Sequence, residues 1–173
     1  MAEVVRAEFS APWGRSLRLS TTAAVVLLLL LALVGLFAAP HARPPWRVVT
    51  VVLPLVVLLA PLPFMVRGYR LTDRHLVVRR PGWSTRLPLA GLAEVTGEPE
   101  GLRHSLRLFG NSGLYVINGW YWNRRFGRFR AYATDGDRAV LLRYADGRRF
   151  VVTPDDVQHF IVRIRTLARL AAP

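Results

Sequence analysis

The chain has 173 residues, of which 24 are basic and 11 acidic, and its formal net charge of +13 is one that seeks a polyanion such as nucleic acid or anionic lipid. Every basic residue is arginine, and with abundant Ala, Leu, Val, Gly and Pro this matches a GC-rich coding bias, so the arginine count alone identifies no partner. Cysteine is absent, which excludes disulfides, thiol catalysis and cysteine-based zinc sites.

After an N-terminal segment (residues 1–20), Thr21 to Ala39, TTAAVVLLLLLALVGLFAA, is an uncharged apolar run. As a helix it would be about 28 Å long, close to the hydrocarbon thickness of a bilayer. Val48 to Val66, VVTVVLPLVVLLAPLPFMV, is a second such run. Neither has the polar residue every three or four positions that a soluble core helix shows, so both are expected to be transmembrane spans. The first is too long for the apolar region of a cleaved signal peptide, and a second span follows at once.

Residues 40–47 join the spans, and the paired prolines of HARPPWR suit a tight turn with Trp46 at headgroup level. Arg6, Arg15 and Arg18 precede the first span and Arg67, Arg70, Arg74, Arg79 and Arg80 follow the second, against Arg43 and Arg47 in the loop. Positive residues are retained inside, so a two-pass protein of the inner (plasma) membrane with both termini cytoplasmic is expected. Pro54, Pro61 and Pro63 predict a kink and an early end to the second helix. No ionisable residue lies in either span, which removes the usual chemistry of an ion or proton relay.

From Arg67 the pattern changes to short apolar runs between turn residues, the pattern of an all-β domain over 67–173. Strands are predicted at Gly68–Leu71, His75–Arg80, Ser84–Leu89 and Leu92–Thr96, then, after a Gly- and Pro-rich region from Gly97 to Gly113, at Arg128–Thr134, Arg138–Tyr144 and Arg148–Thr153. Asp135-Gly136-Asp137 and Ala145-Asp146-Gly147 supply turns. A closing helix follows, with Thr153 as N-cap, Pro154 at its first position and Asp155 and Asp156 near the positive end of its dipole. Val157, Phe160, Ile161, Ile164 and Leu167 share one face, which is expected to cover one end of a sandwich or barrel. The strands and helix together are expected to fold without the spans.

The segments GYRLTDRHLVVRRPGWSTRLPLAGLAEV and GRFRAYATDGDRAVLLRYADGRRFVVTPDDVQHFI resemble the bacterial pleckstrin-homology-like domains, over roughly Arg67 to Leu170. The resemblance implies an open barrel of about seven antiparallel strands capped by a C-terminal helix, so that the fold expected is an N-terminal transmembrane hairpin, read from the apolar runs, followed by this domain. It implies no activity, because a fold does not fix a function. The chain departs from the eukaryotic lipid-binding domains in lacking a basic Lys-x-Arg loop between the first two strands.

The stretch NGWYWNRRFGRFRAY, Asn118 to Tyr132, interleaves aromatics with arginines. Recognition of RNA needs a four-stranded sheet presenting stacked aromatics, which a domain tethered to a bilayer does not suggest, so no nucleic acid is expected. Gly119 to Arg125 reads as a loop. There Trp120, Tyr121 and Trp122 with Arg124, Arg125 and Arg128 either meet lipid headgroups or pack over the barrel or spans.

His41, His75, His104 and His159 are dispersed, no Walker or metalloprotease motif occurs, and FGNSGL lacks the frame of a nucleophile elbow. No enzyme, no metal and no cofactor is expected. The sequence reads as a membrane-anchored binding or scaffolding module, or as an accessory subunit of a transport or envelope complex. Its partners are the bilayer, anionic lipid headgroups and a protein the sequence does not name, in an oligomeric state it does not fix.

Overall fold

The computed structural model describes residues 4–37 and 44–170. Two β-sheets dominate it. The first holds β1 (Val5–Ser10), β2 (Gly68–Thr72), β3 (His75–Arg79) and β4 (Ser84–Pro88) in that order, all neighbours antiparallel. The second holds β5 (Leu92–Gly97), β6 (Leu106–Ser112), β7 (Ile117–Asn123), β8 (Gly127–Ala133), β9 (Val140–Tyr144) and β10 (Arg149–Val152) in the order β5-β9-β10-β8-β7-β6. In place of one barrel of about seven antiparallel strands, the described residues thus form ten strands in two sheets, and β8 runs parallel to β10.

Three of these strands lie where the sequence suggested none. Strand β1 comes from the segment before the first apolar run, and its Phe9 meets Phe160 edge-on at 5.1 Å between ring centres. The expected domain starting at Arg67 therefore takes an edge strand from the other side of the apolar helices. Strand β6 falls in the Gly- and Pro-rich region, and β7 covers most of the expected aromatic loop.

The main core lies between the sheets and under helix α4 (Val157–Leu170), where Tyr69, Leu71, Val78, Tyr132, Leu142, Val152, Phe160 and Ile164 are buried. The Tyr69 hydroxyl joins the sheets, donating to the Tyr132 carbonyl at 2.6 Å and accepting from the Thr153 amide at 3.0 Å. Thr153 is thereby used inside the sheet. The cap of α4 is Asp156, whose carboxylate accepts the His159 amide at 2.9 Å, three residues later than the expected N-cap. The apolar face of α4 lands as its spacing predicts, with Phe160, Ile161, Ile164 and Leu167 buried and Val157 half-buried against them.

Helix α1 runs from Arg15 to Phe37, starting almost two turns before the apolar run does. Its entry is fixed to the second sheet: the Gly14 amide donates to the Thr134 carbonyl at 2.9 Å, and the Thr134 hydroxyl to the Pro12 carbonyl at 2.9 Å. Beyond Thr21 most of its large side chains are exposed, and it is long and apolar enough to cross a membrane.

The second apolar run is not one helix. It is built from α2 (Pro44–Arg47), a π-helical segment Val48–Val52, α3 (Leu53–Leu59) and a 3-10 turn Leu62–Phe64. Pro54 is accommodated in the first turn of α3, and Pro61 and Pro63 end the helical run, as proline's missing amide requires. The run packs on α1 at Gly35, where a Cβ would lie 2.4 Å from the Thr50 hydroxyl. Of the expected loop, residues 40–43 lie outside the described residues; Pro44–Arg47 are helical.

Candidate functional site

Strands β7 and β8 form a hairpin in which Trp120 faces Arg130 and Trp122 faces Arg128 across the ladder. Directly opposed residues project to the same side of a sheet, so these four side chains share one face. Tyr121 and Phe129 share the other and stack at 5.9 Å. That second face is a small core of its own, in which Tyr121 is only 4% exposed beside Phe126, Ala131, Leu141 and Val151.

The six residues singled out from the sequence therefore separate. Trp120, Trp122 and Arg128 stand together, whereas Tyr121 is packing. Arg125 is held by Glu98 at 2.9 Å beside the hairpin turn, and Arg124 is exposed in that turn.

Around the first three the structure assembles partners the sequence reading did not find. An alternating ladder of guanidinium groups and rings runs Trp83, Arg80, Tyr132, Arg130, Trp120, Arg128. The successive distances from guanidinium carbon to ring centre are 5.6, 4.9, 5.2, 5.8 and 4.5 Å. Arginine stacked on an aromatic face gains from the ring's quadrupole, more so where water is excluded. That compensates for Nε of Arg80, Nη2 of Arg80 and Nε of Arg130, which are shielded from solvent without a hydrogen-bond partner. Burial lowers the basicity of Arg80 from the ordinary arginine value, and its neighbour Arg130 lowers it further while Tyr132 opposes both. Burial likewise pushes the Tyr132 phenol up, with Arg130 and Arg80 pulling it back. Among the described residues, Arg80, Arg128 and Arg130 have no acidic partner, in contrast to Arg70, Arg125 and Arg143, which pair with Glu8, Glu98 and Glu94.

Apolar side chains extend the same face. On β6, Leu106 lies opposite Trp122 and Phe109 opposite Trp120, and they are 65% and 78% exposed; Trp122 itself is 42% exposed. At the other end Phe64, the last residue of the 3-10 turn, meets Trp83 edge-on at 5.0 Å. A cavity of about 410 Å³ opens between Ala60, Pro61 and Phe64 on one side and Phe109–Asn111, Asn118–Trp120 and Arg130 on the other. The face thus looks toward the end of the second apolar run.

The tip of the β6–β7 hairpin is fastened to α1. The Thr21 hydroxyl donates to the Gly113 carbonyl and accepts the Tyr115 amide, both at 3.1 Å, and the Ser20 hydroxyl donates to the Gly113 carbonyl at 2.9 Å. The usable signal in the sequence was the mirror symmetry of Trp120-x-Trp122 and Arg128-x-Arg130-x-Tyr132 about Arg125, a period of two on each side of a tight turn.

No curated protein and no solved structure matches the chain. The bacterial PH domain family matches residues 67–168, that is β2 through most of α4, and PH domains are in general non-catalytic binding modules. That range holds nine of the ten strands and most of the closing helix, and the chain belongs to the bacterial PH domain family.

Proposed function

We propose that this chain is a membrane-anchored, non-catalytic binding module whose β6–β7–β8 face rests on the anionic headgroups of the cytoplasmic leaflet. The apolar helices between Arg15 and Phe64 hold it in the bilayer as two passes, with both termini and the PH domain on the arginine-rich side. The observation that carries the reading is the placement of Leu106, Phe109, Trp120, Trp122 and two arginines without acidic partners, Arg128 and Arg130, on the face that looks toward the end of the second apolar run. Tryptophan and apolar groups favour the interface, and each arginine near an anionic leaflet contributes about 1 kcal/mol within a Debye length. Because the helices already tether the domain, these contacts orient it rather than recruit it.

The absence of cysteine makes the test direct, since one introduced cysteine is the only site of labelling. A spin label at Leu106→Cys in the full chain, reconstituted in vesicles containing anionic lipid, is expected at headgroup depth by its relative accessibility to oxygen and a water-soluble nickel complex. A label at Arg74→Cys, on the turn at the far end of β2, is expected in water. A fully aqueous reading at Leu106 overturns the proposal.

A further inference from the structure

A second group of arginines gathers at the other end of the domain. A cavity of about 950 Å³ opens between β1, the β2–β3 turn and the second half of α4, where Arg6, Arg74 and Arg163 surround Pro88 and Leu167. Strand β2 starts just after the 3-10 turn and carries the chain about 17 Å to Asp73 and Arg74, so the cavity stands a strand's length from the apolar helices. Its three guanidinium groups meet one carboxylate, that of Asp73, which pairs with Arg6. The Arg163 guanidinium donates to His159 Nε2 at 3.2 Å, and neither it nor Arg74 has an acidic partner among the described residues. The turn that carries Arg74 is fixed: the Thr72 hydroxyl donates to the His75 carbonyl at 2.9 Å, and the Leu89 amide to the Arg74 carbonyl at 2.8 Å. Leu167 is buried and Pro88 half-buried, which gives the cavity an apolar floor under a rim of unbalanced positive charge. A concave surface lined by one sign of charge concentrates the opposite sign. Arg6 lies outside the range that the family matches, so the cavity is complete only in the full chain.

We propose that this cavity docks an acidic segment of a soluble protein partner, with carboxylates on Arg74 and Arg163 and an apolar side chain between them on Leu167 and Pro88. The volume lies near the upper end of the range of small-ligand sites, roughly 300–1,000 Å³, which is large for a lone phosphate and suits a short run of side chains. Guanidinium is fitted to the task because its fork matches the two oxygens of a carboxylate. Two features favour spaced carboxylates over a phosphate group. The guanidinium groups come from three separate elements, whereas phosphate sites typically converge backbone amides at a helix N-terminus. The cavity instead lies at the carbonyl half of α4, toward the negative end of its dipole, with Asp73 in its wall. A concentrated dianion is repelled by both, while single charges set apart reach each guanidinium without crowding Asp73. The pair of Arg6 with Asp73 is exposed, so an incoming carboxylate displaces Asp73 from Arg6 at little cost. The site adds a partner to the membrane-anchored module and is independent of how the β6–β7–β8 face meets lipid.

The test uses the full chain in phosphatidylcholine nanodiscs and a dye-labelled hexapeptide of alternating glutamate and leucine, followed by fluorescence anisotropy. Binding that weakens with added salt is expected, and none by the hexapeptide of alternating glutamine and leucine. Affinity should fall about tenfold when Arg74→Gln and Arg163→Gln are combined. It should hold when Arg107→Gln and Arg124→Gln are combined, which removes the same charge from exposed positions on β6 and in the β7–β8 turn. Asp73→Asn is expected to bind more tightly, because Arg6 is released to the peptide, and this gain is one that a misfolded variant does not imitate. Equal losses in the two double variants would reduce the effect to the net charge of the chain and overturn the site, as would parent-like binding by Asp73→Asn. Displacement of the labelled peptide by inorganic pyrophosphate at lower concentration than by the unlabelled peptide also overturns it, since the ligand would then be a phosphoester. If the Leu106 label stays at headgroup depth while no peptide binds, this site falls and the membrane-facing surface stands. An aqueous label with the peptide bound does the reverse.

Discussion

Thr21, in the second turn of α1, holds both sides of the β6–β7 turn: its hydroxyl donates to the Gly113 carbonyl and accepts the Tyr115 amide, each at 3.1 Å. Tyr115 is the one non-glycine among the described residues with positive φ, +65°. A non-glycine in that region costs of order 1–3 kcal/mol and persists only where its surroundings hold it. Here the holding group belongs to the apolar helix, so the helix fixes the tip of the hairpin whose broad face carries the arginine and tryptophan ladder.

Thr21→Val keeps shape and removes the hydroxyl. It leaves a part-buried amide and carbonyl with one partner fewer each, and a loss of about 1–3 kcal/mol in stability is expected. The sharper readout is hydrogen exchange at the Tyr115 amide, which should speed up in the variant while amides of β9 and β10 keep their protection. Unchanged exchange at Tyr115 would mean that the turn holds itself.

Strand β1 gives a second expectation. Phe9 is buried against Phe160 and His159, and the Ser10 hydroxyl donates to the Asp155 carboxylate at 2.7 Å, so β1 ties β2 to the start of α4. Phe9→Ala in the full chain should cost about 3–5 kcal/mol, the usual range for emptying a buried phenylalanine site. By the same reasoning a fragment starting at Arg67 should unfold well below the full chain in a thermal melt. Equal melting points would show that β1 is dispensable.

What the sequence reading could reach follows from how local each signal is. The strands His75–Arg79 and Val140–Tyr144 and the buried face of α4 were legible because turn residues and apolar spacing announce them within a few positions. Strand β1 was not, since its partner β2 lies some sixty residues on, beyond both apolar runs. The break of the second apolar run at Pro61 was legible from its prolines, whereas the π-helical segment Val48–Val52, where Thr50 packs against Gly35, leaves no mark in the hydropathy. Of the candidate site, Trp120, Trp122 and Arg128 were found from composition. Arg130 and Phe109 were missed because taking Gly119–Arg125 as a loop discards the period-two pairing that puts them on one face, and Arg80 and Trp83 because they come from the turn after β3 in the other sheet and meet Tyr132 only in the folded chain.

The pairing of Gly110 with Gly119 is a third point of test. A Cβ on Gly110 would lie 2.2 Å from the Asn118 carbonyl oxygen, and one on Gly119 would lie 2.1 Å from that of Phe109, with both glycines at positive φ. The contacts are with backbone, which cannot step aside as a flexible side chain does. Gly119→Ala should therefore push β6 off β7 near the cavity. Solvent exchange at the β6 amides is expected to rise and the emission of Trp120 to change, with β2 to β4 unaffected. A variant with wild-type exchange in β6 would show that the two strands tolerate the separation.

The last expectation concerns alkaline stability and rests on Tyr69. Burial pushes its phenol up to about 12, although the bonds from Thr153 and the charge of Arg80 pull the other way. A group whose folded value lies above its unfolded value of about 10 favours the folded state fully below pH 10, and that contribution is lost as pH rises through 12. Two units on a fully buried group correspond to about 2–3 kcal/mol. Ionisation also removes the proton donated to the Tyr132 carbonyl, the link between the two sheets. Denaturant unfolding followed against pH should therefore show a fall in stability between pH 10 and 12, together with late-rising phenolate absorbance. Tyr69→Phe should be less stable at neutral pH, where the Thr153 amide and Tyr132 carbonyl lose a partner, yet should show a shallower fall above pH 10. A variant whose alkaline fall is as steep as the parent's would assign the effect to Tyr144, whose phenol burial also pushes up to about 12, and would leave the inter-sheet bond without a role in it.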